Sequence, residues 1–352
     1  MSAVLSPASP FLLVLALFLI SLLMVLSAAA WFTRRLEALC DRLDLSAGML
    51  SILSALGANI PNYVASIVAI ATGQQDVGLG IIIGSNIYNL AIILGISALA
   101  APGSHGIHLR LKEKHDVLII AYYAFAITLT TLIAIWLLPR SSIGVPLSAQ
   151  LLILVPLILV LIVIVAIFGS LVFHIVQRPH PPHVESIPNQ EKSKPGTSSI
   201  SLQRLIAEVL FALVIALGGV IVMVQSGEQL TADMHMPAVL AGLLVLAVAT
   251  SLPNTVVAVI LVRTGRIAAC VEEIFSSNSI NAALGIALPL LLWHTLVQDH
   301  LLLVLDGPFI VVLTVGTIVC IRMSRLHRLT GFLLLLSYVV WVGLHLLLNV
   351  RT

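Results

Sequence analysis

Two short patterns hold most of the side chains that could do chemistry. One is a Pro-Asn pair, Pro61-Asn62, which returns as Pro253-Asn254. The other is Ser-Asn-x-x-Asn: Ser85, Asn86 and Asn89, then Ser277, Asn278 and Asn281. The chain contains nine Asn, and seven of them, Asn59 included, lie in or beside these patterns. Amide and hydroxyl oxygens are hard, neutral ligands, so the chemistry they offer is coordination of a hard cation. Asn86 and Asn89, three apart, share a helix face, as do Asn278 and Asn281. Proline has no N–H to give and crowds the preceding turn. Pro61 and Pro253 are therefore expected to break their helices and free carbonyls near Gly57 and Ala249. In lipid such carbonyls need another partner, and a dehydrated cation is one. Asn59 and Ser251 stand within a turn of the prolines and extend the candidate set.

The surroundings of these residues are strongly apolar. Of 352 residues, 60% are hydrophobic and 9% charged, with mean hydropathy +1.14. Soluble domains carry about 25% charged residues, so a soluble enzyme and a disordered chain are excluded. Net charge +2 gives no footprint for nucleic acid. Cys40, Cys270 and Cys320 are far apart and suggest neither a disulfide framework nor a metal motif. The lipid bilayer is the expected partner, small cations are the expected cargo, no cofactor is implied, and protein partners are not indicated.

Ten apolar runs reach membrane length: 11–32, 46–72, 77–101, 117–138, 146–176, 204–226, 237–262, 268–297, 301–321 and 329–349. They are continuous rather than alternating, which predicts helices. The first run has no Lys or Arg before it and is too long for a signal peptide core, so it reads as a retained span. With ten spans alternating sides, all 17 Lys and Arg except Arg140 and Arg351 fall on one side. By the positive-inside rule that side is cytoplasmic, and both termini lie outside. Residues 177–203, rich in Pro, Ser, Lys and Glu, form a cytoplasmic linker of disordered composition. It separates a first five-span unit, 1–176, from a second, 204–352.

The two units are related. Residues 55–91 shifted by 192 give 11 identities in 37 positions, among them Pro61/Pro253, Asn62/Asn254, Ser85/Ser277, Asn86/Asn278 and Asn89/Asn281. Because five is odd, the second copy enters the membrane from the opposite face. Inverted repeats with interrupted helices and a midplane site mark secondary transporters. Asn and Ser in membrane helices also act as plain interhelical glue, at about 0.6 kcal/mol each. Four Asn columns in register beside paired prolines argue for a site instead.

These residues resemble a known family. Gly57-Ala-Asn-Ile-Pro-Asn62 and Gly84-Ser-Asn-Ile-Tyr-Asn89 are similar to the first alpha repeat of the sodium/calcium exchangers; Ala249-Thr-Ser-Leu-Pro-Asn254 and Ser276-Ser-Asn-Ser-Ile-Asn281 are similar to the second. The motif regions are 54–99 and 246–289. The resemblance to the calcium/cation antiporters implies an all-α membrane fold of ten helices in two inverted five-helix repeats. It also implies alternating-access antiport of cations such as sodium, protons or potassium against calcium. The cation site it implies comprises Asn62, Asn89, Asn254 and Asn281, flanked by Asn59, Ser85, Thr250, Ser251 and Ser277. The departures from the family pattern are specific. The residue after the motif proline is usually acidic, and here it is Asn62 and Asn254. Asn281 stands where Asp is common, and Ala58 lacks the usual hydroxyl.

The carboxylates are expected elsewhere. Glu272, Glu273, Asp306, Asp76 and Asp299 read as interfacial, and Glu208 as a partner of Arg204, with Glu273 the one that a helical turn could bring toward the pathway. His294 and His345 read as near membrane ends. A site of neutral oxygens favours monovalent ions over calcium, because the full desolvation cost of a divalent ion is not offset. The competing reading is a non-transporting relative, a scaffold or sensor. An intramembrane enzyme lacks any supporting HExxH, Gly-x-Ser-x-Gly or paired aspartates. The expected location is a bacterial inner or plasma membrane.

Overall fold

The computed structural model describes residues 8–43, 53, 55–102, 106–137, 147–177, 201–237, 240–263, 265–293 and 299–349. Most of the 177–203 linker lies outside the described residues, as do 44–52 and the end of the chain. In order, the first unit has α1 (Ala8–Arg42), α2 (Ile60–Ala71), α3 (Gln75–Tyr88), a π-helical segment π1 (Asn89–Ile93), α4 (Leu94–Ala100), α5 (Leu111–Leu137) and α6 (Leu147–Val176). The second has α7 (Leu202–Asp233), π2 (Ala241–Leu246), α8 (Ala247–Arg263), α9 (Ile267–Ile280), π3 (Asn281–Ala287), α10 (Leu288–Leu292), π4 (Leu302–Asp306), α11 (Gly307–Arg322) and α12 (Arg328–Asn349).

Nine helical stretches among the described residues are long and apolar enough to cross a membrane. The remaining expected span, 46–72, is described mainly as the 12-residue α2. Helices are dictated here because lipid offers no partner to backbone N–H and C=O groups. Their outward faces carry exposed Leu, Ile and Val, such as Ile20 on α1 and Val214 on α7, as lipid-facing surfaces should.

The element that positions the site is a pair of matching hairpins. After α2 the chain turns at Gly73 (φ +88°), and after α8 it turns at Gly265 (φ +77°), 192 residues on. In each turn two amides close back on the helix end: Gly73 N to Ile70 O and Gln74 N to Ala69 O, then Gly265 N to Val262 O and Arg266 N to Leu261 O. This closure needs a left-handed residue, which glycine supplies without strain. Each turn feeds a helix buried in the middle of the molecule, α3 or α9. Both helices widen into a π segment at the last Asn of the motif, Asn89 and Asn281. Such widenings recur at functional sites because they re-aim side chains and release carbonyls.

Close backbone approach brings the hairpins together. A Cβ on Gly84 of α3 would stand 2.5 Å from Leu243 O and 2.8 Å from Ala247 Cβ. Around this centre α1 and α7 pack side by side, and Val25, Val220 and Val224 belong to one apolar cluster between them. The C-terminal part of α1 and the first turns of α7 are bridged by Glu208, which takes Arg35 at 2.5 Å and Arg204 at 2.9 Å. The expected Arg204 partnership is thus present, with a second arginine added from the other repeat.

Pro253 departs from expectation. It lies inside continuous α8, whereas Pro61 stands at the second position of α2, just past a break at Asn59 (φ −94°, ψ 0°). A packed membrane helix tolerates an interior proline when its neighbours and local widening take up the strain, and α8 is preceded directly by the π2 widening.

Candidate functional site

All seven motif asparagines are buried, none more than 3% exposed. They fall into two hydrogen-bonded groups, one around Asn86 and Asn278 and one around Asn59, and each group joins the two repeats. At its middle, Asn86 of α3 and Asn278 of α9 exchange bonds: Asn86 Nδ2 donates to Asn278 O (3.3 Å) and Asn278 Nδ2 donates to Asn86 O (3.1 Å). Each side-chain oxygen then accepts from the other repeat's last Asn. Asn89 Nδ2 donates to Asn278 Oδ1 (2.8 Å), and Asn281 Nδ2 to Asn86 Oδ1 (3.0 Å). The arrangement is two-fold symmetric, as the inverted repeat requires.

The Pro-Asn pairs are joined differently. Asn59, which caps α2, sends Nδ2 to Ala55 O (2.7 Å) and to Ser277 Oγ (2.7 Å). Its Oδ1 accepts from both Asn62 Nδ2 (3.2 Å) and Asn254 Nδ2 (2.8 Å). Residue 251, its counterpart in the second repeat, is Ser, and its Oγ has no partner among the described residues.

These bonds fix which way the four key amides point. Main-chain carbonyls can only accept, so Asn59, Asn86 and Asn278 must present their NH2 groups to them and leave their oxygens as acceptors. Asn62, Asn254, Asn89 and Asn281 must then donate, and their own oxygens face away from these bonds. All four of those Oδ1 atoms are buried without a hydrogen-bond partner. Leaving a buried acceptor unsatisfied costs about 1–3 kcal/mol, so four at matching positions of the two repeats call for a donor or a positive ligand. A donor-poor, acceptor-rich cluster fits a metal cation as cargo and disfavours an anion.

The structure sorts the expected ligands. Asn62, Asn89, Asn254 and Asn281 have free oxygens. Asn59 does not: its oxygen is filled twice, and it orients the others. Ser277 is also committed, accepting from Asn59 and donating to Glu273 Oε1 at 3.0 Å. Thr250 donates back to Leu246 O at 2.8 Å, which leaves oxygen lone pairs. Ser85 Oγ lies 3.4 Å from Ala247 O. Asn86 and Asn278, absent from the expected ligands, are the residues that aim Asn281 and Asn89; the Ser-Asn-x-x-Asn spacing was the signal.

Three residues expected near the membrane edges are also buried among the helices. Glu273 is 4% exposed, on the face of α9 that carries Ser277 one turn on. Asp306 is fully buried, its Oδ1 taking Trp341 Nε1 at 2.7 Å and lying 2.6 Å from His345 Nε2. His345 is fully buried with it. Hydropathy places residues along a span and says nothing of which face they occupy, so a polar residue with an internal partner escapes it. Among the described residues no three His, Cys, Asp or Glu side chains are grouped to hold a metal.

Comparison with known proteins gives the same architecture. Residues 13–176 and 205–347 match the family model for the sodium/calcium exchanger protein. A sodium-calcium exchanger structure, NCX_Mj soaked with 10 mM Na+ and zero Ca2+, superposes with TM-score 0.65 at 17% identity, covering 95% of this chain and 99% of that one. The protein CaxA of Alkalimonas amylolytica is 43% identical over 60 residues, 17% of this chain and 18% of its own length. The sodium/calcium exchanger MaX1 of Methanosarcina acetivorans is 26% identical over 113 residues, 31% of this chain and 32% of its own length. The chain thus aligns with a third or less of these curated relatives.

Proposed function

We propose, for a chain that belongs to the sodium/calcium exchanger family, alternating-access antiport of cations through the asparagine cluster, with a monovalent ion preferred over calcium. The observation that carries the reading is the set of four buried amide oxygens, on Asn62, Asn89, Asn254 and Asn281, without protein partners. Two come from each repeat, so either half can offer the same pair as the molecule opens to one side or the other.

Selectivity follows from charge. The desolvation cost of an ion grows with the square of its charge, and neutral oxygens return less of it than carboxylates do. Carbonyl oxygens alone do hold a monovalent ion, as in potassium filters. Sodium, lithium or potassium is the cargo such a cluster suits. The charge asymmetry of the sequence supports both termini outside a bacterial inner membrane, with the 177–203 segment cytoplasmic.

A thermal shift of the purified protein tests the reading. Binding stabilises the folded state by RT ln(1 + [L]/Kd), so sodium, lithium or potassium should raise Tm saturably, and Asn62→Ala should remove most of the rise. A strong calcium response in wild type, abolished by the same substitution, would overturn the monovalent preference. No response to any of these ions would favour a non-transporting relative.

A further inference from the structure

A small cavity of about 10 Å³ lies where α3, α5, π3 and α11 meet. That is room for one water molecule. Its polar wall is made by Asn86 of α3 with Thr128 and Thr131 of α5. The rest is apolar, and includes Ala282 and Ile286 of π3 and Ile310 of α11. Thr131 is 3% exposed, and its Oγ1 has no protein partner among the described residues. Threonines in helices ordinarily settle the hydroxyl on a carbonyl one turn back. Thr130 does so to Ala126 O at 2.8 Å, Thr314 to Ile310 O at 2.7 Å and Thr250 to Leu246 O at 2.8 Å. Thr131 makes no such bond.

Asn86, on the opposite wall, has capacity to spare. An amide side chain carries two N–H donors and two lone pairs. Asn86 Nδ2 gives one N–H to Asn278 O, and Oδ1 takes one donor, Asn281 Nδ2. Water suits this setting, since a buried water bonds two to four polar groups and needs no more space than the cavity has. A bare cation does not suit it, because three polar side chains in an apolar wall cannot replace a hydration shell.

We propose that this cavity is the binding site of one structural water, which ties Thr131 of α5 to Asn86 of α3. Thr131 is then a positioning residue. Asn86 Oδ1 accepts from Asn281 Nδ2, so whatever holds the Asn86 amide also holds the Asn281 oxygen in its direction. Ala282, next in sequence to Asn281, lines the same cavity, so the water also backs the start of π3. The wall includes Asn86 and not its counterpart Asn278, so only one of the two central amides is tied to an outer helix in this way. The effect on ion response rests on the cation reading above; the water site itself does not.

The test pairs Thr131→Val, which keeps the shape and removes the hydroxyl, with Thr131→Ser, which keeps the hydroxyl and removes a methyl group. Tm of the purified protein is measured without ions and through titrations of sodium, lithium and potassium chloride. A crystal structure of wild type, at a resolution that shows ordered water, is determined alongside. A hydroxyl with no partner at all is better replaced by a methyl group, so Thr131→Val would then match or exceed wild type in Tm. A water-bridged hydroxyl gives the opposite sign, a fall of about 2–4 °C in ion-free protein. Thr131→Val should also raise the ion concentration at half-maximal Tm response about threefold. Thr131→Ser should keep the wild-type value there, whatever its lost methyl group does to Tm.

Ordered density within hydrogen-bonding reach of Thr131 Oγ1 and Asn86 supports the water site. A dry cavity, or a Tm of Thr131→Val at or above wild type, overturns it. An ion response that Thr131→Val leaves unchanged, or that Thr131→Ser weakens equally, overturns the positioning role. If Thr131→Val does not fold, the density and Thr131→Ser decide. No Tm response of wild type to any monovalent ion removes the cation reading and the positioning role with it, while the water site still stands or falls on the density and on the sign of the ion-free Tm change.

Discussion

At the scale of single residues, orientation rather than identity makes the cluster. Asn is neutral and ambivalent, able to donate or accept. Asn59, Asn86 and Asn278 resolve that ambivalence by spending their own NH2 groups on main-chain carbonyls. Asn59→Ala should therefore cost more than a ligand does, since it strands two NH2 groups at once. We expect a loss of about 2–4 kcal/mol in stability together with the cation response, read by denaturation and thermal shift. Restoring the acids in the double variant Asn62→Glu, Asn254→Glu places two like charges together. It should fold poorly without a divalent ion and gain Tm with calcium where wild type does not. The Asp306 cluster is a separate residue-scale feature. Asp306→Ala would leave the Trp341 N–H buried without its acceptor, and unfolding of detergent-solubilised protein should show a loss of about 1–3 kcal/mol.

At the scale of elements, helix crossings set how near the amides can come. Gly84 lets α3 lie against π2, and Gly95 of α4 meets Gly331 of α12, where a Cβ on Gly331 would stand 2.8 Å from Gly95 O. At the first crossing the obstacle is main chain on one side and a methyl on the other, so neither can yield cheaply. Gly84→Val should then push α3 from π2, cost more than about 3 kcal/mol, and abolish cation response even in protein that survives purification. Gly218, a buffer case on α7, has open space where a Cβ would go; Gly218→Ala should leave Tm unchanged or raised by helix propensity. The segments π1 and π3 were invisible to periodicity, because five to seven residues of wider helix do not disturb an apolar run. Their starting points, Asn89 and Asn281, still coincide with the repeated motif.

At the scale of the whole molecule, the inverted repeat gives the site its symmetry and the departures from symmetry give it direction. Asn59 faces Ser251, Glu273 faces Ile81, and the break at Pro61 faces the continuous helix at Pro253. The two halves thus differ in chemistry, and at the prolines in backbone, around a shared repeat. The topology expected from charge is checked with tags at both ends on intact spheroplasts: protease should remove both, and protection of both would reverse the orientation. Shortening 177–203 while keeping its reach should leave expression and cation response intact, measured by fluorescence-detected size exclusion.

The sequence by itself determined the class, the helical architecture and the repeat, and it singled out the motif asparagines. Each of these is written in local pattern: span length against lipid thickness, charge between spans, and a polar motif recurring at a fixed shift. Only the tertiary structure decided which oxygens are left open, that the Asn59 oxygen accepts from both Asn62 and Asn254, that Pro253 stays within its helix, and that Glu273, Asp306 and His345 are buried. The contacts of Asp306 and Asn59 among them reach partners 35 and 218 residues away. A linear pattern fixes how deep a residue sits along a span; the face it turns, and the donor that meets it there, are set by packing against helices whose placement no local pattern records.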